Sequence, residues 1–281
     1  MIRDSFALES ATGEVIHGDL RYRQDVREAP AVLIMHGFKG FKDWGFFPDI
    51  SARLAESGYV AVTFNFSKNG IGSDFRNFTE LDKFAENTIS QEIEDARRVL
   101  QAVKTGEIGK KAIDPERIGL LGHSRGGGIG ILTAVDHPDD VLCLVTWATV
   151  AHFFRFTPEQ IDQWRKQGYI EVENVRTKQM MRLNKTFLDD LEANRERFDL
   201  LKAVERLEVP SLFIHGSEDT TVPASESEQL YEHCGAVSKR LEIIEGASHT
   251  FGIQHPMAQS TNAYEIVADL TENWLDSYLQ I

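Results

Sequence analysis

The pentapeptide Gly122-His123-Ser124-Arg125-Gly126 sets a serine between two glycines. Small residues two before and two after a serine suit a sharp turn from strand to helix, where a larger side chain would collide across the bend. Such a turn lifts the hydroxyl clear of the backbone. A hydroxyl is still a weak nucleophile until a base takes its proton. The base in turn needs an acid to hold its tautomer and to stabilise the charge it acquires. Both partners follow later in the chain. Asp219 lies in His215-Gly216-Ser217-Glu218-Asp219-Thr220-Thr221-Val222-Pro223, and His249 lies in Glu245-Gly246-Ala247-Ser248-His249-Thr250-Phe251. Glu218 is a rival for the acid. The chain has nine histidines, of which His249 alone follows a late strand in a turn of glycine and serine. His123 lies inside the serine turn and reads as a packing residue beneath it.

Attack on a carbonyl leaves a developing oxyanion that needs hydrogen-bond donors. Backbone amides supply these without a titratable group. The amide of Arg125, next after the serine, is one candidate. The other comes from His36-Gly37-Phe38-Lys39-Gly40, where Gly37 lets the backbone turn inward and the Phe38 amide is placed to donate. The Arg125 side chain reads as a salt bridge or a solvated cation, and His36 as a hydrogen-bonded support of its loop.

The elements that would position these residues alternate between strand and helix. Residues 5–10 and 14–22 read as strands joined by a turn at Thr12-Gly13. Continuous apolar runs at 31–35, 59–64, 117–122 and 141–147 predict strands buried on both faces. Helices are predicted over 48–56, 88–104 and 126–135, with a polar loop at 67–80. Ile89, Ile93, Ala96, Val99, Leu100 and Val103 recur at helical spacing. The alternation breaks over 152–208, a charged and aromatic stretch that is mostly helix-like with a strand-like patch at 169–175. It resumes with strands at 211–214 and 241–244 and helices at 225–233 and 263–279. This pattern predicts a mostly parallel central sheet with helices on both faces, and one inserted segment. Ser124, Asp219 and His249 each follow a strand, so the three converge on the carboxyl edge of the sheet.

Composition bounds the remaining possibilities. A chain of 281 residues can bury a large core as one domain. Hydrophobic residues make up 42% and charged residues 26%, as in ordinary globular chains, and the mean hydropathy is -0.29. No apolar run is long enough for a membrane helix. A net charge of -14 argues against nucleic acid as a partner, because a phosphate backbone attracts basic surface. Early charges in Met1-Ile2-Arg3-Asp4 interrupt any signal-type apolar stretch. Cys143 and Cys234 read as unpaired thiols, so a cytoplasmic setting is expected. No Cys/His cluster at metal spacing occurs, and no cofactor is expected. Gly-x-x-x-x-Gly-Lys and Gly-x-Gly-x-x-Gly are not found at the glycine-rich turn, which leaves no nucleotide-binding reading there. The oligomeric state is open, a homodimer included.

Taken together, His36-Gly37-Phe38, the Gly-His-Ser-x-Gly-Gly turn, His215-Gly216-x-x-Asp219 with Val222-Pro223, and Ser248-His249 resemble the α/β-hydrolase superfamily. Within it they are most similar to the dienelactone-hydrolase, prolyl-oligopeptidase-like and cinnamoyl (feruloyl) esterase branch, over roughly residues 30–150 and 209–280. The order serine, acid, histidine is that of the superfamily. The resemblance implies a single α/β-hydrolase domain, with 152–208 as a cap or lid. It implies a serine carboxylic-ester hydrolase that works on small acyl or aromatic esters through an acyl-enzyme. Two departures qualify it: dienelactone hydrolases proper use a cysteine nucleophile, and peptidases of the prolyl-oligopeptidase type carry an N-terminal propeller for which this chain has no room. A small aminopeptidase or acyl-peptide hydrolase is the enzymatic alternative, and a catalytically silent ligand receptor on the same scaffold is the non-enzymatic one. A dehalogenase or epoxide hydrolase would want an aspartate at position 124.

Overall fold

The computed structural model describes residues 1–280. The chain opens with β1 (Ile2–Glu9), β2 (Val15–Tyr22) and β3 (Ala29–Met35), followed by α1 (Phe47–Glu56), β4 (Val60–Phe64), α2 (Leu81–Ala85) and α3 (Ile89–Lys104). Then come β5 (Ile113–His123), α4 (Arg125–Asp136) and β6 (Cys143–Trp147). The inserted segment holds α5 (Pro158–Gln167), β7 (Tyr169–Asn174), β8 (Gln179–Asn184), α6 (Lys185–Ala193) and α7 (Leu200–Glu205). The chain closes with β9 (Ser211–Gly216), α8 (Ser225–His233), β10 (Lys239–Ile244) and α9 (Asn262–Leu279).

Eight strands form one sheet in the order β1-β2-β4-β3-β5-β6-β9-β10. β1, β2 and β4 pair antiparallel, and every pair from β4 to β10 is parallel. The central strands are largely apolar because both of their faces are covered. Side chains alternate between two cores with the period of two that a strand imposes. Val32 and Ile34 of β3 face α1 and α9, while Ala31, Leu33 and Met35 face α3 and α4. Likewise Leu212 and Ile214 of β9 enter one core and Phe213 the other.

Caps define the helix that supports the site. Thr88 begins α3 by accepting a hydrogen bond from the Gln91 amide. Its apolar stripe Ile89, Ile93, Ala96, Val99, Leu100 and Val103 is buried against the sheet.

Two elements differ from the sequence-based expectation. The loop expected at 67–80 is followed by the short helix α2, which the residue pattern does not announce. Its Phe84 is buried against Phe38 and Phe78, with ring centroids 5.6 and 6.5 Å away, so tertiary packing rather than periodicity makes it. The strand-like patch at 169–175 has a partner: β7 and β8 pair antiparallel from Tyr169–Asn184 to Asn174–Gln179. Met181 and Leu183 of β8 are buried and Met180 and Arg182 are exposed, the alternation of a two-stranded ribbon with one covered face. No helix among the described residues is long and apolar enough to cross a membrane.

Candidate active site

Ser124 sits between β5 and α4 with φ +56° and ψ -122°. A non-glycine residue with positive φ is strained and persists only where its surroundings hold it. Here the Ser124 amide donates to the Trp147 carbonyl at 2.8 Å, and the Ser124 carbonyl accepts from the Gly127 amide at 3.0 Å and the Thr149 hydroxyl at 3.2 Å. The flanking glycines are required sterically. A Cβ on Gly122 would stand 2.3 Å from the Gly126 carbonyl oxygen, and one on Gly126 would stand 2.4 Å from that of Met35.

Asp219 follows β9 and its side chain is fully buried. One carboxylate oxygen accepts from the amides of Thr221 and Val222 at 2.8 and 2.9 Å. The other lies 2.6 Å from His249 Nδ1 and 3.1 Å from His215 Nε2. Burial works to raise the Asp219 pKa, but the bonds from His215 and His249 outweigh it and hold the carboxyl well below its ordinary range. Glu218, the rival acid, is exposed and among the described residues bonds only through its amide, to the Ala247 carbonyl.

His249, after β10, is partly exposed. Its Nδ1 faces a carboxylate and therefore carries the proton, which leaves Nε2 free to accept one. Among the described residues no hydrogen bond joins the Ser124 hydroxyl to that ring. Bonds of this kind commonly tighten when substrate binds.

His123 does more than pack beneath the turn. Its Nε2 donates to the His249 carbonyl at 3.0 Å, so the residue before the serine fixes the backbone of the histidine loop. Burial, reinforced by His249, pushes its pKa down to about 3, so it is a neutral support.

His36 acts likewise on the Phe38 amide. Its Nδ1 donates to the Gly37 carbonyl at 2.9 Å, and the Gly40 amide donates to the same oxygen at 3.0 Å. In a trans peptide the amide points opposite its carbonyl, so these bonds aim the Phe38 N–H away from the loop interior. Burial lowers the His36 pKa to about 4, and Nε2 accepts from the Phe66 amide at 3.3 Å. The Arg125 amide opens α4, where helix N–H groups have no partner within the helix. Neither the Phe38 nor the Arg125 amide donates to another group among the described residues.

Two participants escape a reading of the residues alone. His215 is fully buried, with Nε2 between Asp219 and the Val222 carbonyl (2.9 Å) and Nδ1 2.6 Å from the Ser227 hydroxyl. Both Nε2 neighbours are acceptors, so Nε2 donates and Nδ1 accepts. Its place four residues before the acid on β9 was the available signal. The second is Glu92 on α3. The Arg125 guanidinium is not solvated: it donates to Glu92 Oε1 at 2.5 Å and lies over the Phe38 ring at 4.3 Å. Burial moves the Arg125 pKa down and the Glu92 pKa up, each opposed by the other's charge.

Ser124 and His249 line two adjoining hollows. One of about 340 Å³ is walled by Val150, Phe153, Phe156, Leu183 and Phe187. The other, of about 330 Å³, is walled by Trp44, Phe47, Asn174, Val175 and Arg176. Phe38 and Lys39 border both. A larger hollow of about 740 Å³ beyond Arg176 contains none of Ser124, Asp219 or His249.

Comparison with known proteins places the chain in a lineage. YitV of Bacillus subtilis (strain 168), an esterase by name, is 29% identical over 231 residues, 79% of this chain and 84% of YitV. Est1E from Butyrivibrio proteoclasticus, solved with ferulic acid bound, superposes with a TM-score of 0.75 at 16% identity, covering 98% of this chain and 100% of Est1E. A dienelactone hydrolase from Anabaena variabilis ATCC 29413 does so with a TM-score of 0.63 at 19% identity, covering 99% of each chain. At such identity the two structures speak for the fold. The model of the prolyl oligopeptidase family matches residues 44–280. The chain is an α/β hydrolase and belongs to the prolyl oligopeptidase family.

Proposed function

We propose that the protein is a serine carboxylic-ester hydrolase that acts on small acyl or aromatic esters through an acyl-enzyme. The observation that carries this reading is the Asp219–His249 bond of 2.6 Å, set at the cleft that Ser124 also lines from its strained turn. His249 Nε2 takes the Ser124 proton as Oγ bonds to the ester carbonyl carbon. The carbonyl electron pair moves to the oxygen, which the Phe38 and Arg125 amides hold. The tetrahedral species collapses with cleavage of the C–O bond, and His249 returns its proton to the departing alcohol. Water, deprotonated by the same imidazole, then attacks the acyl-enzyme and frees the acid and Ser124. Asp219 holds the imidazole tautomer and balances the imidazolium charge.

The inserted segment 152–208 is assigned here as a cap. Its support is position: Phe153, Phe156, Leu183 and Phe187 come from it and form most of the apolar hollow. Relatedness to YitV favours ester substrates. Membership of the prolyl oligopeptidase family is the observation that favours a small aminopeptidase instead, and comparison of aminoacyl anilides with aryl esters separates the two. Ser124→Ala is expected to lower kcat/KM for p-nitrophenyl acetate by about 10⁴-fold or more. Turnover near the wild-type rate would refute the nucleophile. A rate that stays flat from acid to neutral pH would count against His249 as base.

A further inference from the structure

The chain carries 44 Asp and Glu against 30 Lys and Arg, yet no carboxylate lines either hollow beside Ser124. The charged side chains there are Lys39, Arg125, Arg155 and Arg176. Arg125 and Arg155 are committed to Glu92 and Glu226, at 2.5 and 2.6 Å. Lys39 and Arg176 are not. Lys39 Nζ donates only to the Glu173 backbone carbonyl, at 2.7 Å. Arg176, in the turn between β7 and β8, lies over the rings of Phe41 and Phe78 at 5.3 and 5.7 Å. Neither cation is within ion-pair distance of a carboxylate among the described residues, and both border the hollow walled by Trp44 and Val175.

We propose that this hollow receives an anionic group of the substrate, so that the enzyme takes esters bearing a carboxylate, with their uncharged half in the apolar hollow. The inference rests on the reading of Ser124 as nucleophile. The two hollows meet at Ser124 and His249, so one ester spans both with its carbonyl at the hydroxyl. Cations without a carboxylate partner among the described residues are poised for a charge-assisted bond. Burial, partly offset by Glu173, pulls the Lys39 pKa down, and burial does the same to Arg176. An incoming carboxylate would relieve that cost. Arg176 is delivered by the inserted segment, which makes the β7–β8 turn the specificity element.

The test uses two matched pairs: 4-acetoxybenzoate against its methyl ester, with the charge in the alcohol, and mono-4-nitrophenyl glutarate against 4-nitrophenyl valerate, with the charge in the acyl group. In at least one pair the acid is expected to show a kcat/KM about tenfold or more above the neutral ester at low salt. That ratio should shrink as salt rises. It should fall toward one in Arg176→Gln and in Lys39→Gln, and most of it should survive in Arg176→Lys. An active enzyme that favours the neutral ester in both pairs overturns the inference and leaves the ester-hydrolase reading standing. A ratio unchanged in both glutamine variants overturns it too. A wild-type protein that cleaves none of the four esters removes the underlying reading, and this inference with it.

Discussion

Ser124 and Asp219 show how much chemistry depends on what surrounds a side chain. The Asp219 carboxylate accepts from two amides and two imidazoles and has no lone pair left idle. Glu218, one residue away, faces solvent. Asp219→Asn is therefore expected to lower kcat by about 10³- to 10⁴-fold through the wrong imidazole tautomer, while Glu218→Gln stays within about twofold of wild type. Steady-state kinetics on one aryl ester decides it, and the reverse order would exchange the roles. The turn at Ser124 and the loop positions of Asp219 and His249 were legible in the sequence, because glycine spacing and strand ends mark them. The support that His36 gives its loop was legible too, but the tasks of His123 and His215 were not, since each depends on a partner remote in space or on a carbonyl that no residue pattern reveals. Glu92 was hidden for a related reason. Nothing in the helical spacing of α3 marks it, and the packing of α3 on α4 buries it.

At the scale of elements, that pair ties three pieces of the molecule together. Glu92 belongs to α3, Arg125 opens α4, and the guanidinium reaches toward Phe187 of α6 at 5.7 Å as well as to Phe38. Removing one partner of a buried pair leaves an uncompensated charge, which costs about 3–5 kcal/mol. Glu92→Ala should lose stability on that scale in urea unfolding. A loss under about 1 kcal/mol would mean that water already shares the charge. Most core strands and the long helices could be read from apolar runs and 3.6-residue spacing, and α8 falls on the expected span, Ser225–His233. The misses, α2 and β8, are short elements whose existence is owed to tertiary contact: α2 through Phe84, β8 through its pairing with β7. The inserted segment is joined to the sheet domain by polar contacts as well. The Ser90 hydroxyl and amide both donate to Asp190 of α6, at 2.5 and 3.0 Å.

The whole molecule responds to pH through its buried histidines. His36 and His123 titrate at about 4 and about 3 in the folded protein, against an ordinary 6.5. Between those values and 6.5 the unfolded chain binds the protons and the folded one does not, so stability rises with pH across that window and is lost as pH falls. At pH 5 each histidine should cost about 2 kcal/mol relative to neutral pH. Asp95, pushed up to about 6 by burial, shifts stability the opposite way, so urea midpoints at pH 7 and pH 5 are compared between wild type, His36→Gln and His123→Gln; a pH dependence unchanged in both variants would show that neither ring is held neutral. The buried pair of histidines thus links the support of the site to the stability of the fold. It does so in a chain with free, buried cysteines and no disulfide among the described residues.

The central claim is that Ser124, activated by His249 and Asp219, forms a covalent intermediate. Reaction of the folded protein with a fluorophosphonate, followed by peptide mass mapping, tests it most directly. One adduct is expected, on Ser124, formed at least about 10³-fold more slowly in His249→Asn. No adduct, an adduct on another residue, or labelling of Ser124 at an undiminished rate without the histidine would contradict it.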